Sequence, residues 1–236
     1  MTSISQAIAE QIEQDQIPLT EVVGHFPRFT RSQAVARMAA LYELFKLVQP
    51  VKGCILECGV HHGAGLFTWA HLSARLEPFN TFRRIYGFDT FQGFPTVDDR
   101  DQGAERNDAA VAGAFKGSAL QDLQQSVDLF HQFNPQCGER VFLVPGDATK
   151  TIPRFVEDNP HLIVSLLFLD FDLYEPTRVA LDHLVPRMPQ GAVLCFDEIN
   201  NPHWPGETRA LTETLGVGNL TLRSFPFEPN IAYAVL

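Results

Sequence analysis

At 236 residues, with 45% hydrophobic and 19% charged residues, the chain has the composition of one globular α/β domain with a sizeable core, not of a disordered chain. A formal net charge of −10, with Arg83-Arg84 the one adjacent basic pair, argues against a nucleic-acid partner. No apolar run reaches the length of a membrane span and residues 1–5 lack a signal-peptide pattern, so a cytoplasmic protein without a membrane partner is expected.

Residues 5–15, with Ile8 and Ile12 among polar neighbours, predict a weakly amphipathic helix, and Pro18 and Pro27 interrupt the stretch after it. Ser32 is placed to cap a stronger helix whose Val35, Met38, Leu41, Leu44, Phe45 and Val48 recur at helical spacing before Pro50. This N-terminal segment, residues 1–50, is expected to pack on a sheet edge or on a second subunit of a homo-oligomer. Residues 51–236 form the main domain.

That domain opens on an apolar run, an acid and three glycines: Cys54-Ile55-Leu56-Glu57-Cys58-Gly59-Val60-His61-His62-Gly63-Ala64-Gly65. The pattern predicts a buried parallel strand, a tight turn where backbone approaches a ligand, and a helix. A dinucleotide site wants Gly-x-Gly-x-x-Gly, and the nearest fit here ends in Thr68. Glu57 before the first glycine would repel a pyrophosphate, but suits the cationic aminoacyl end of S-adenosylmethionine, directly or through water. His61 and His62 are adjacent and lack spaced partners, which favours a solvated turn or a contact to the methyl donor over a metal site.

A second strand, residues 84–89, ends in Asp89, where an acid can bond both ribose hydroxyls or cap the next turn. Residues 90–117 are long, rich in Gly and Asp, and carry Phe91, Phe94, Pro95 and Phe115 without periodicity; a lid is expected. Ser118 is placed to cap a helix through Phe133, a third strand comes at 141–144, and Asp147 is another acidic tip before a helix from Thr149.

Two almost wholly apolar segments come next, as central parallel strands should be. Residues 164–169 run into Asp170-Phe171-Asp172, and residues 191–196 run into Asp197-Glu198, with a helix between them from Glu175 to Met188. If the strands are neighbours, the acids meet at the carboxyl edge of the sheet, where open α/β folds bind ligands. Such a cluster repels itself unless a cation sits among the carboxylates, and hard oxygen donors suit Mg²⁺ or another divalent ion. The other reading makes them independent turn and cap acids. After a Pro/Gly loop at 200–206 and a helix from Glu207 to Leu215, residues 220–225 and 231–236 are joined too tightly for a parallel crossover, so they pair antiparallel. The four cysteines form no Cys-x-x-Cys pair and are expected as reduced thiols. The expected fold is α/β: a Rossmann-like, seven-stranded, mainly parallel sheet with helices on both faces, a C-terminal antiparallel hairpin and N-terminal helices.

Over residues 50–215 the chain resembles the macrocin O-methyltransferase family of class I S-adenosylmethionine-dependent methyltransferases. The resemblance rests on the Glu57-to-Gly65 turn, Gly87-Phe88-Asp89-Thr90-Phe91-Gln92-Gly93-Phe94-Pro95, Gly146-Asp147, Asp170-Phe171-Asp172-Leu173-Tyr174-Glu175-Pro176-Thr177 and Asp197-Glu198. It implies that Glu57, Gly59 and Gly63 line the methionine end of the methyl donor, Asp89 the ribose and Asp147-Ala148 the adenine, with Phe91 counted among these binding residues. It implies Mg²⁺ or another divalent ion on Asp170 and Asp197, and Asp172 as the general base. The family commonly has Asp-Asp-Tyr where this chain has Asp197-Glu198-Ile199; the longer Glu198 carboxylate can still reach a metal.

A sugar hydroxyl is a weak acid, so chelation and a carboxylate base are what its methylation asks for. Asp172 is the candidate base, with His203 in the next loop as its competitor. The expected activity is S-adenosylmethionine- and Mg²⁺-dependent O-methylation of a hydroxyl on a sugar or other small polyol or natural product in a biosynthetic pathway, set against an NAD-type oxidoreductase or a non-catalytic S-adenosylmethionine-binding protein.

Overall fold

A computed structural model of the protein describes residues 3–103 and 107–236. Residues 1–2 of the N-terminal segment and 104–106 of the expected lid lie outside the described residues.

The sheet has seven strands: β1 (Cys54–Cys58), β2 (Ile85–Asp89), β3 (Val141–Pro145), β4 (Val164–Leu169), β5 (Val193–Phe196), β6 (Arg223–Phe225) and β7 (Glu228–Val235). Their order is β3-β2-β1-β4-β5-β7-β6; β1 to β5 run parallel, and β7 enters antiparallel between β5 and β6. This is the expected architecture. Strand order reverses between β1 and β4, the position at which open sheets of this kind leave a crevice beyond their carboxyl ends.

Side chains alternate across the sheet and build two cores. Ile55, Leu166, Phe168, Val193 and Cys195 face α3 (Ser32–Val48), α4 (Ala64–Leu76) and α5 (Leu120–Phe133). Leu56, Cys58, Leu167, Leu169, Leu194 and Phe196 face α6 (Ala148–Asp158), α7 (Tyr174–Leu184) and α8 (Gly206–Thr214). Glu57, two residues after Ile55, shares its face of the sheet and so points into the first core. The cysteines are free thiols, and Cys58, Cys137 and Cys195 are buried.

Several boundaries differ from expectation, two of them through a local hydrogen bond. Ser32 is the first residue of α3 rather than its cap, which is Arg31. Ala119, not Ser118, precedes α5, because the Ser118 hydroxyl instead meets the His62 ring at 3.0 Å. α6 begins one residue early, since Asp147 accepts from both the amide and the hydroxyl of Thr149. The N-terminal segment holds α1 (Ile4–Gln14) and an extra turn, α2 (Leu19–Gly24), neither of which buries a residue. α3 alone docks on the sheet, through Ala40, Leu41, Leu44, Phe45 and Val48. Arg83, half of the adjacent basic pair, is only 2% exposed; it donates to Ser165 Oγ and to the carbonyls of Val48, Gln49, Val51 and Gly53. It ties the start of β1 to the chain around it and presents no basic surface. Among the described residues no helix is long and apolar enough to cross a membrane.

Candidate active site

A cavity of about 540 Å³ opens above the carboxyl ends of β1, β2, β4 and β5. That volume lies within the usual range for small-molecule sites. Glu57, Gly59, Asp89, Asp147, Ala148, Asp170, Asp172, Asp197 and Glu198 all line it, so residues from five segments of the sequence converge there.

The turn after β1 is shaped by what its glycines lack. Gly59 sits at φ +95°, and a Cβ there would collide with the Asp170 carbonyl, so β1 and β4 can close together only with glycine at this point. A Cβ on Gly65 would lie 2.6 Å from Glu57 Oε2, so α4 can approach the acid only because that side chain is missing. Gly63 caps α4 at positive φ and backs onto Leu123 and Phe67 instead of lining the cavity. Phe91 likewise turns away. It is buried in the first core and does not line the cavity.

Glu57 is 3% exposed and is hydrogen-bonded by neutral groups, the Trp69 indole at 2.6 Å and the Leu66 amide. Burial pushes its carboxyl up to about 8, with Trp69 and then Arg37 opposing the shift. A buried acid held by neutral donors fits a cationic ligand group such as an ammonium. Asp89 accepts from the amides of Val60 and His61 with one oxygen and of Phe91 with the other, at 2.7–2.9 Å. It therefore fixes the glycine turn and begins the next one, while still lining the cavity. His61 and His62 meet edge to face, with ring centroids 4.0 Å apart, on the exposed rim.

On the other side, β4 and β5 are neighbours with Leu169 opposite Phe196, so Asp170 and Asp197 leave adjacent strand ends side by side. Arg37 of α3 spans them: Nη1 donates to Asp197 Oδ1 at 2.6 Å and Nη2 to Asp170 Oδ2 at 2.7 Å. Burial works against the guanidinium charge, but Asp197 and Asp170 outweigh it and keep its pKa above the ordinary arginine value. Burial, then the Asp197 charge, hold the Asp170 carboxyl well above its usual range. Asp172, at φ +61°, is raised to about 7 by burial, then by Glu198 and Asp197. Glu198 bonds the Asn201 side chain, which sets it apart from the bridged pair. Among the described residues no group of three or more His, Cys, Asp or Glu is placed to hold a metal. The chemistry of the pair itself, two hard carboxylates at adjacent strand tips, fits a divalent ion; the near oxygens now contact Arg37.

Glu207, at the start of α8, accepts from the amides of Phe171 and Asp172 with Oε1 and of Glu198 with Oε2, at 3.0–3.2 Å. One buried carboxyl thus ties the two acidic tips together. The expected lid, so far as it is described, runs along the cavity with Thr90, Phe94, Pro95, Thr96, Val97, Asp98, Asp101 and Phe115 against it. It is pinned by Asp101, which is 1% exposed and accepts from the amides of Tyr174 and Asp98. Phe94, Phe115 and Trp204 pack as an aromatic cluster with centroids 5.3–5.9 Å apart, joining the lid to the 200–206 loop. His203, the competing base, is exposed and outside the cavity.

Arg37, Trp69, Asp101, Trp204 and Glu207 carry no motif. For Arg37 a sequence signal does exist: it stands four residues before Leu41, at an inward position of the α3 apolar pattern.

A family model described as macrocin-O-methyltransferase (TylF) matches residues 7–213. A crystal structure of CalS11, a calicheamicin methyltransferase, superposes with a TM-score of 0.91 and 35% identity, covering 98% of this chain and 90% of that one. An apo structure described as CalS11, a TDP-rhamnose 3'-O-methyltransferase of calicheamicin biosynthesis, gives 0.81 and 32%, covering 98% and 92%. A curated relative from Streptomyces olivaceus, 8-demethyl-8-(2,3-dimethoxy-alpha-L-rhamnosyl)-tetracenomycin-C 4'-O-methyltransferase, is 29% identical over 153 residues. That match takes in 64% of this chain and 55% of the relative, so the chain spans about half the length of the curated relative it matches.

Proposed function

The chain belongs to the macrocin-O-methyltransferase (TylF) family, and from that premise we propose that it transfers a methyl group from S-adenosylmethionine to a hydroxyl of a small, sugar-containing acceptor. The observation that carries this reading is that one cavity joins a buried, cation-seeking Glu57 to the acidic tips of β4 and β5. A sugar hydroxyl is the acceptor suggested by the relatives, whose names specify rhamnose-bearing substrates.

In this reading Glu57 holds the ammonium of the methyl donor, Asp89 its ribose hydroxyls, and Asp147 and Ala148 its adenine. S-adenosylmethionine supplies an electrophilic methyl whose bonding pair leaves on sulfur. Asp172 takes the proton from the acceptor oxygen as that oxygen forms its bond to the methyl carbon. Phe94 and Phe115, which line the cavity and are backed by Trp204, offer apolar faces to a sugar ring and help exclude water. Alignment by these surfaces can contribute on the order of 7–11 kcal/mol at best toward an in-line displacement. A divalent ion held by Asp170 and Asp197, with Glu198 as a third ligand, would supply positive charge that orients acceptor oxygens and lowers the hydroxyl pKa.

The test is calorimetric and chemical. S-adenosylhomocysteine should bind at micromolar concentration while NAD does not, and a rhamnose-bearing glycoside should gain the mass of one methyl group. Binding of NAD in place of S-adenosylhomocysteine would overturn the reading. Turnover unchanged by a chelator and by Asp170→Ala would remove the divalent ion from it.

A further inference from the structure

Arg37 lies 133 residues in sequence from Asp170 and 160 from Asp197, yet its two terminal nitrogens each bond a different one of them. It reaches them from the inward face of α3, one turn before the buried Leu41, and its guanidinium carbon lies 5.5 Å from the centre of the Phe168 ring. A guanidinium that bridges two acids from separate strands does more than pair a surface charge. It relieves the repulsion between neighbouring carboxylates, which is the electrostatic work a divalent cation does when it shares them.

The two cations cannot share the position. A small divalent ion needs carboxylate oxygens at about 2.0–2.1 Å, whereas the arginine nitrogens already stand 2.6 and 2.7 Å from Asp197 Oδ1 and Asp170 Oδ2. Overlap and like charge both forbid joint occupancy on the bridged side. Nor is Arg37 isolated from the rest of the cavity, since Leu41, one turn further along α3, lines it too.

We propose that Arg37 is the built-in counter-ion of the Asp170–Asp197 pair and competes with a divalent cation for it, so that metal loading expels the guanidinium and loosens the first turns of α3. The inference rests on the reading of this rim as metal-accepting. By linkage, whatever holds α3 against the sheet weakens metal binding, and metal binding weakens the hold on α3 by the same factor. The N-terminal helix thereby becomes a sensor of metal occupancy.

The probe is Mn²⁺, titrated calorimetrically into the full chain without methyl donor or acceptor. Arg37→Gln should bind Mn²⁺ about tenfold more tightly than the wild type, because the competent state no longer has to be freed of its own cation. Arg37→Lys, which keeps the charge but cannot bridge both acids, should fall between, and Asp170→Asn should abolish the binding. In the wild type, Mn²⁺ should also speed amide hydrogen exchange in residues 32–40 while leaving α5 unchanged; this measurement needs no variant to fold. Equal Mn²⁺ affinity in wild type and Arg37→Gln, with loss in Asp170→Asn, overturns the competition but leaves the metal reading standing. Unchanged exchange in α3 on Mn²⁺ binding overturns the competition as well. Mn²⁺ binding that ignores Asp170, or no binding at all, overturns both.

Discussion

The indole Nε1 of Trp69 donates to Glu57 Oε2 at 2.6 Å, so the acid at the end of β1 is gripped from α4 by a neutral partner. Burial leaves that carboxyl with a pKa of about 8, and at neutral pH it is mostly protonated in the ligand-free protein. An ammonium binds the ionised form. Below that pKa, S-adenosylhomocysteine binding therefore releases a proton, and affinity should rise between about pH 6 and pH 8, by at most about tenfold per pH unit. Calorimetry in two buffers of different ionisation enthalpy counts the proton. Glu57→Gln should flatten the profile, and a pH-independent wild-type affinity would contradict the role given to Glu57.

The same group makes a prediction for stability. Its folded pKa of about 8 lies above the value of about 4.3 for an unfolded glutamate. The folded state therefore binds the proton more tightly; the contribution is complete below the unfolded value and is lost as pH rises through about 8. Asp170 and Glu207, also raised by burial, act in the same direction. The melting temperature of the ligand-free protein should fall from about pH 5 to pH 8, and less steeply in Glu57→Gln.

Asp172→Asn tests the base with little disturbance of the backbone, because asparagine tolerates the positive φ that Asp172 adopts. Methyl transfer should fall by about 10²- to 10⁴-fold with S-adenosylhomocysteine affinity unchanged. His203→Ala, outside the cavity, should leave turnover within about twofold of wild type. The reverse ranking would exchange the two candidates.

Glu207 should prove structural first. Its buried carboxyl serves three amides, so Glu207→Ala leaves them without that acceptor and should cost about 3 kcal/mol in a denaturant titration. Glu207→Gln keeps one acceptor oxygen and should cost less.

Trp204 packs its ring against both Phe94 and Phe115 from the 200–206 loop. Trp204→Ala should raise KM for the acceptor, by up to about tenfold, and leave the methyl-donor KM unchanged. An equal rise in both would place Trp204 in general lid stability rather than acceptor recognition.

The sheet was legible because its signals are one-dimensional: five apolar strands each ran into a turn or acid, and a short final connection allowed only an antiparallel pair. The convergence of Asp170 with Asp197 came directly from that order. Helix caps were less legible, since Ser32, Ser118 and Thr149 each had a neighbour able to take the cap position or claim the hydroxyl. Arg37 and Glu207 were missed for another reason. Their roles consist of hydrogen bonds to residues distant in the chain, and one arginine or one helix-start glutamate resembles any other until the fold brings its partners near. Phe91 shows the converse, because membership of a motif did not reveal that its ring turns inward.

The pairing of Leu169 with Phe196 puts the interval between Asp170 and Asp197 under main-chain control. A single residue inserted into either strand would slide one acid along its neighbour by about 3.3 Å and, because successive side chains point to opposite faces, turn it through the sheet. Lengthening the 200–206 loop would do neither. Changes in reach belong to the loops, whereas the gap between the two charges is as rigid as the ladder that sets it.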